Sequence, residues 1–439
     1  MVSQLTRTSV IKRRYHAFLA QLHDYGIMDA YNLKPFLDGK ALTKALNTPP
    51  GPWMKEALDV VMAWQLRNPD VKDPEQAIAA VENSKVATGG ELPSSLAKHF
   101  LKLTVRPLFA KARPTNVTAT GRRVVSEQLP QKITVESMND EITKPWKKDA
   151  YALNLLEWVV GILNERMVED VWHLVVPPLL TLIDDWETNY KRLGAQLLTR
   201  LLVATPPLLL ERTGLAEVFA EALLPCLSYL PTLTPEPDSL DLQHSIYPAL
   251  TTLARVRCPD LPAAGSKLLN AEDSRRARIK HLDIIVRKGL IYSYAHCNQY
   301  PRIVTFLFTQ LAVLLAELGI DSVKHLQVLL PMLTETLSSR TLAEAQQLQT
   351  LTAAVKAMQA LILNAWPRMG EYKGEVTKGL TLCWLNGDGK VGEEVERLRE
   401  ESRVAVRILR VALGTEDGFE ESCNLLIAAD GRLSELLVV

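Results

Sequence analysis

The residues of this chain that come nearest to a ligand-holding loop are Asn386, Gly387, Asp388, Gly389 and Lys390. A phosphate cradle needs glycines spaced so that successive amides face one anion, with Lys and then Ser or Thr following. That spacing is missing. A calcium loop fails too, because Lys390 stands at the third ligand position and the bidentate Glu is misplaced. The string reads as a surface turn. Nucleophilic catalysis needs Ser or Cys beside a base, and no Gly-x-Ser-x-Gly elbow occurs. The 8 histidines are scattered, and His296 beside Cys297 reads as an ordinary helix pair. The cysteines, Cys226, Cys258, Cys297, Cys383 and Cys423, are 5 in number, with no pair at metal-ligand spacing. With no secretory signal in view they are expected to be reduced core thiols of an intracellular protein. No catalytic residue, cofactor or metal is expected.

A denser set of charged residues lies in the stretch from Trp172 to Leu202, which carries two apolar helical patterns around an acidic turn. Leu174, Val175, Val176, Leu179, Leu180, Leu182 and Ile183 form the first, and Leu193, Leu197, Leu198, Leu201 and Leu202 the second. Two short antiparallel helices are predicted. Asp184 and Asp185 between them can cap exposed amides near the start of the second helix, and Lys191 and Arg192 precede the small pair Gly194 and Ala195. A small residue there lets the paired helices approach closely. Asp, then a basic residue, then a small residue at this spacing resembles a HEAT repeat. Asp184, Asp185, Lys191 and Arg192 are the candidate protein-interface residues.

One hairpin cannot bury its apolar face alone, so the unit must recur. Two aliphatics, Pro, any residue and Leu appear at Val175 to Leu179, Leu223 to Leu227 and Leu329 to Leu333, with prolines 48 and 106 residues apart. Those intervals fit one and two periods of roughly 40 to 47 residues plus insertions. Composition agrees, with 47% hydrophobic residues but only 6% aromatic, and no lasting strand alternation. The expected fold is all-α, a HEAT-like α-solenoid of stacked helical hairpins preceded by a small separate helical piece. Beyond Lys148 the stripe Leu153, Leu156, Val160, Leu163, Met167 reads as one helix. No apolar run reaches the roughly 18 to 20 residues that span a bilayer, so no membrane is expected as a partner.

Net charge is +0, which argues against a general nucleic-acid binder. The distribution divides the chain into residues 1–82, near balance, a basic linker over 83–148 with a short helix, and an acidic helical body over 149–439. Arg106, Lys111, Arg113, Arg122 and Arg123 gather in the linker, where flexible connectors are commonly basic. Arg7, Lys12, Arg13 and Arg14, with no acid before Asp24, superficially suit a mitochondrial presequence, but the segment from Tyr15 has a better account.

That account comes from Leu33, Lys34, Pro35; Asp38 to Leu42; Gly51, Pro52, Trp53; and Trp64 to Pro69. Over about residues 12 to 82 these resemble the C-terminal tail of a CCA-adding tRNA nucleotidyltransferase. The resemblance implies a helical region that helps hold the tRNA body, which makes Lys34, Lys40, Lys44 and Lys55 candidate RNA contacts by charge. The family's catalysis needs a Gly-rich turn and paired aspartates binding two metal ions. The residues before Leu33 cannot supply these, so nucleotide addition is not expected. Either a fusion kept the tail or the reading frame joins neighbouring genes, and a transcript spanning codons 60 to 110 separates the two.

A second resemblance lies in Pro107 to Arg123, Pro145 to Lys147, Trp158, Trp172, Val175 to Asp185, Tyr190, Lys191, Gly194 and Pro206 to Pro237. Together they resemble the Tel-two-interacting protein two family over about residues 100 to 439. This implies a non-catalytic adaptor that joins two larger α-solenoid subunits in a trimeric complex. That complex works with the ninety-kilodalton heat-shock chaperone to mature phosphatidylinositol-kinase-related kinases, touching telomere maintenance and the DNA-damage response. A cytoplasmic location follows, with the nucleus as a further compartment. The alternative is an RNA-binding remnant or fusion related to tRNA CCA-end processing, although RNA is not the expected partner.

Overall fold

The computed structural model describes residues 23, 34–45, 53–68, 71, 73–87, 91–110, 117–118, 120–123, 144–262, 265–267, 270–339, 345–387, 391–414 and 418–438. Among them the regular elements are all helical, and the one extended pairing is an isolated antiparallel bridge between Val117 and Arg123. The all-α expectation holds. Two compact units follow one another along the chain, residues 1–97 and 98–439. The basic segment containing Arg7 and Lys12 to Arg14, and Asp388 to Lys390 of the glycine string, lie outside the described residues.

In the first unit α1 (Gly39–Ala45), α2 (Trp53–Arg67) and α3 (Pro74–Ala87) close a small core of Leu37, Leu42, Ala57, Val61, Ala77 and Val81. The residues behind the nucleotidyltransferase resemblance do much of this work. Asp38 Oδ1 accepts from the Ala41 amide at 2.7 Å and so caps α1. Gln65 accepts from the Phe36 amide and donates to the Lys34 carbonyl, both at 3.3 Å, while Trp64 meets the Phe36 ring at 6.0 Å.

Helix α4 (Glu91–Phe100) contains the boundary between the units. In the second unit the segment read as a linker supplies core instead: Leu101, Val105, Phe109, Val117 and Trp146 are all buried. Periodicity could not show this, because Phe109 and Trp146 stand in the four-residue helices α5 (Arg106–Phe109) and α6 (Pro145–Lys148), too short to develop a stripe.

Next come α7 (Ala150–Ile162), α8 (Glu165–Asp184), α9 (Thr188–Val203), α10 (Pro207–Thr213), α11 (Leu215–Leu223) and α12 (Glu236–Arg257). The stripe from Leu153 to Met167 is therefore two helices. Asn164 breaks it, because its side chain accepts from the Arg166 and Met167 amides and caps α8. The Pro-rich acidic stretch Thr234 to Asp241 leads into α12, whose first turn holds Glu236 and Asp238, both favoured at the positive helix end. Then follow α13 (Ala271–Ile284), running through a π-turn into α14 (Tyr292–Cys297), α15 (Pro301–Leu318), α16 (Leu326–Leu337), α17 (Ala345–Ala365), α18 (Met369–Asn386), α19 (Glu393–Leu413), α20 (Phe419–Ala429) and α21 (Ser434–Leu437).

Helices α7, α9, α12, α15, α17, α19 and α21 pack each on the next. Of these, α12, α15 and α17 run in the same direction. Arg255 near the end of α12 pairs with Glu317 near the end of α15 at 2.6 Å, and Thr305 near the start of α15 meets Thr350 near the start of α17 at 2.8 Å. The three proline motifs fall on α8, on the 3-10 turn that follows α11, and on α16. Several bonds between neighbouring helices join residues 41 to 45 apart, although Arg255 and Glu317 are 62 apart. Arg200 with Glu157, Tyr294 with Thr336, Lys324 with Asp283, Thr305 with Thr350 and Gln359 with Glu401 are 43, 42, 41, 45 and 42 residues apart.

The segment Pro301–Leu337 is long and apolar enough by composition to cross a membrane, which corrects the expectation that none would be. Half of that apolar stretch is buried within the protein, where Phe306, Leu307, Phe308, Leu311 and Leu315 pack against neighbouring helices. All five cysteines are buried and unbridged. Burial pushes the Cys226 thiol up to about 11 and that of Cys383 to about 12, which keeps both unreactive.

Two predictions arise here. Gly374 lies within α18, and a methyl group added there would meet no other atom, so Gly374→Ala should stabilise by about 0.5–1 kcal/mol, read as a rise in the urea midpoint. Burial pushes the His281 imidazole down to about 4, with Arg257 adding to this and Glu217 opposing it. The folded chain thus holds this histidine neutral at pH values where the unfolded chain protonates it. Its contribution is complete above pH 6.5 and lost as pH falls toward 4. Because the ring is only partly buried, the loss should be about 1–2 kcal/mol, well below the full shift. A His281→Gln variant should lose that part of the pH slope, and identical slopes in urea titrations would reject the assignment.

Candidate protein-interaction site

The turn between α8 and α9 sits where the apolar faces of both helices meet. Gly194 permits that meeting: a Cβ placed there would lie 2.8 Å from Ile183 Cγ1 and 2.9 Å from both the Ile183 nitrogen and Leu182 Cβ. The expected need for a small residue is thereby explained.

The four charged residues of this turn take different places. Asp185 is buried, and its carboxylate accepts from Lys144 Nζ and Lys147 Nζ, each at 2.8 Å, and from the Glu187 amide at 3.0 Å. It therefore fixes the turn that leads into α9 and ties α6 to that turn. Burial alone would raise its pKa, but the bonds from Lys144 and Lys147 more than offset that and hold the carboxyl below the ordinary carboxylate range. Burial would lower the pKa of Lys147, and its bonds to Asp185 and Glu187 outweigh this and raise it. Lys147 also lies over the rings of Trp146, Trp186 and Tyr190 at 5.3, 5.3 and 4.7 Å.

Lys191 is buried as well. Its Nζ donates to the Ile183 carbonyl at 2.7 Å, closing the C-terminal end of α8, and lies over the Tyr229 ring. Asp184 is exposed, and beside it Trp186 projects with 67% of its surface open. Arg192 is partly buried, and its Nε is buried without a hydrogen-bond partner among the described residues. It lines a groove of about 620 Å³ between α9 and α12, together with Gln196, Thr199, Arg200, Asp241, His244, Ser245 and Pro248. The structure thus joins Asp185 to Lys144 and Lys147, which residue spacing did not single out, and separates Arg192 from Asp185 and Lys191. Lys147 stands 38 residues before Asp185, so only a pairing rule at the repeat distance could have linked them.

A segment of the former linker is fastened to the same helices. The carbonyl of Gly121, a residue at φ 70, accepts from Trp172 Nε1 at 3.0 Å, and the Arg123 amide donates to the Thr213 carbonyl at 3.0 Å. Arg123 pairs further with Glu221. A side chain at Gly121 would meet His173 and Trp172 at 3.0 Å, so its left-handed conformation and close approach both require glycine.

In the first unit Lys34, Lys40 and Lys44 are the candidate cations that the structure describes in full. Lys34 and Lys44 are exposed, and Lys40 and Lys44 stand one helical turn apart on α1. Lys55 lies on α2, with its side chain outside the described residues.

Comparison with curated proteins finds partial relatives for a short N-terminal region. The nucleotidyltransferase lcsQ of Purpureocillium lilacinum is 48% identical over 67 residues, covering 15% of this chain and 11% of that protein. The tRNA nucleotidyltransferase cca2 of Schizosaccharomyces pombe is 33% identical over 72 residues, 16% of this chain and 15% of that protein. The mitochondrial CCA tRNA nucleotidyltransferase of Saccharomyces cerevisiae is 30% identical over 69 residues, 16% and 13% of the two chains. The chain thus spans no more than 15% of the length of these three relatives. No solved structure matches. The Tti2 family profile matches residues 62–343, starting inside α2 and so earlier than the motifs after residue 100 had indicated. With more than half of its length matched, from α2 through the Asp185 turn to the far side of α16, the chain belongs to the Tti2 family.

Proposed function

We propose that this chain is a non-catalytic scaffold subunit, built as a HEAT-like α-solenoid, of a chaperone-linked trimeric complex that matures and stabilises phosphatidylinositol-kinase-related kinases. The family match over residues 62–343 carries this reading. The recurrence of several cross-helix bonds at 41 to 45 residues supports the repeat architecture, because a stacked array brings each unit into contact with its neighbours. The partners are two larger α-solenoid subunits, with the ninety-kilodalton heat-shock chaperone machinery and the kinases reached through them, in the cytoplasm and also the nucleus. The charged residues of the α8–α9 turn favour a scaffold over an enzyme, since Asp185 and Lys191 are engaged in holding helices together.

Affinity capture of the tagged chain from cells, followed by mass spectrometry, tests the proposal. Two larger solenoid subunits should co-purify, and deletion of residues 149–439 should abolish their recovery. Undiminished recovery after that deletion would overturn it.

A second reading rests on the nucleotidyltransferase likeness of the N-terminal region. There Lys34, Lys40 and Lys44 would meet the phosphates of a tRNA body. Purified protein should then retard tRNA at low salt, where phosphate contacts are strongest, and an unshifted tRNA band disposes of this reading.

A further inference from the structure

The long cations of α9 are not in equivalent states. Lys191 is bound to the Ile183 carbonyl and Arg200 to Glu157, whereas the Arg192 side chain has no hydrogen bond or ion pair among the described residues. Its Nε is buried and unsatisfied. That atom is shielded from the groove, but the guanidinium as a whole lines the groove and carries its charge with no ion-pair partner among the described residues, so an anion is favoured beside it. Guanidinium presents a planar fork of donors that matches a carboxylate or a phosphoryl group with two parallel bonds.

The opposite wall sets the direction of any ligand. Asp241 on α12 is exposed and also lines the groove, so an anion is favoured against α9 and disfavoured against α12. Arg200 adds positive charge on the α9 side, weakened by its partner Glu157.

We propose that this groove docks an acidic segment of a protein partner, with Arg192 receiving a carboxylate or phosphoryl group in a forked pair. The proposal rests on the scaffold reading, since it supplies one contact surface for it. The affinity of the groove for acid is set mainly by Arg192, modestly by Arg200, and is opposed by Asp241.

Fluorescence anisotropy of the full chain with a labelled oligoglutamate peptide, and with a matched phosphoserine peptide, tests this at about 50 mM salt, where screening is weak. Arg192→Ala should weaken binding about tenfold, and Arg192→Lys should recover only part of it. Asp241→Asn should tighten binding about two- to threefold by removing a like charge. Tighter binding of the phosphoserine peptide assigns the site to phosphoryl groups, and equal binding assigns it to carboxylates. Because Arg192 has no partner among the described residues, Arg192→Ala should leave the thermal midpoint unchanged or slightly higher, which separates lost docking from lost folding.

Equal binding by wild type and Arg192→Ala, or no binding by wild type, would overturn the proposal, as would displacement of the peptide by oligouridylate RNA at lower concentration than by unlabelled peptide. The peptide assay needs no partner subunit. A chain that captures its complex but ignores the peptides would therefore reject the groove and leave the scaffold reading standing.

Discussion

Asp185→Ala should lower the unfolding free energy by about 2–4 kcal/mol. The side chain has no exposed surface, and its loss leaves Lys144 and Lys147 without their shared carboxylate. Breaking a buried pair from one side typically costs about 3–5 kcal/mol, and the smaller figure applies because both lysines keep some contact with water. Asp185→Asn preserves shape and can still accept from the Glu187 amide, so it should cost less.

The pH dependence identifies the charge component. The Asp185 carboxyl titrates below its unfolded value, so its contribution is present above the ordinary carboxylate range and is lost as pH falls through that range. Lys147 titrates above 10.5, so its share is present below that value and is lost as pH rises past it. The stability difference between wild type and Asp185→Ala should accordingly be flat across neutral pH and shrink on both sides. A difference that stays constant from neutral pH down to about pH 3 would mean that packing, not charge, accounts for it.

Gly194→Val should have the larger effect, leaving little soluble folded protein. Even Gly194→Ala should cost about 2–3 kcal/mol, against the helix-propensity gain of about 1 kcal/mol that the same change brings at an open site. The difference is steric. The added carbon meets backbone and Cβ atoms of Leu182 and Ile183, which cannot move aside without parting α8 from α9. Parting them would also stretch the bond from Lys191 to the Ile183 carbonyl. A Gly194→Ala protein as stable as wild type in urea titrations would mean that the two helices are not packed as described.

Much of this was readable from residue order, because α8, α9 and α15 bury apolar stripes at helical spacing and Gly194 stands at the crossing that needs it. Asp185 and Lys191 were recognised as turn residues by the same spacing, but whether they face inward or outward depends on groups far along the chain. Lys144 precedes and Lys147 lies in a four-residue helix, where no period can develop. The Val117–Arg123 segment was hidden for a related reason. Its attachments are a backbone carbonyl to Trp172 and a backbone amide to Thr213, and main-chain bonds leave no trace in side-chain pattern. Arg192 was singled out with three neighbours, and only its unsatisfied state in the folded chain distinguishes it from them.

The spacing of the cross-helix bonds also bears on assembly during synthesis. Glu157 is followed only 43 residues later by Arg200, and Asp283 only 41 later by Lys324, so each helix leaving the ribosome soon finds its docking neighbour already made. The Val117–Arg123 segment waits longer, since Arg123 lies 98 residues before Glu221. Translation stalled before that point should yield nascent chains that protease cuts first near residue 120, while chains stalled after α11 resist the same cut.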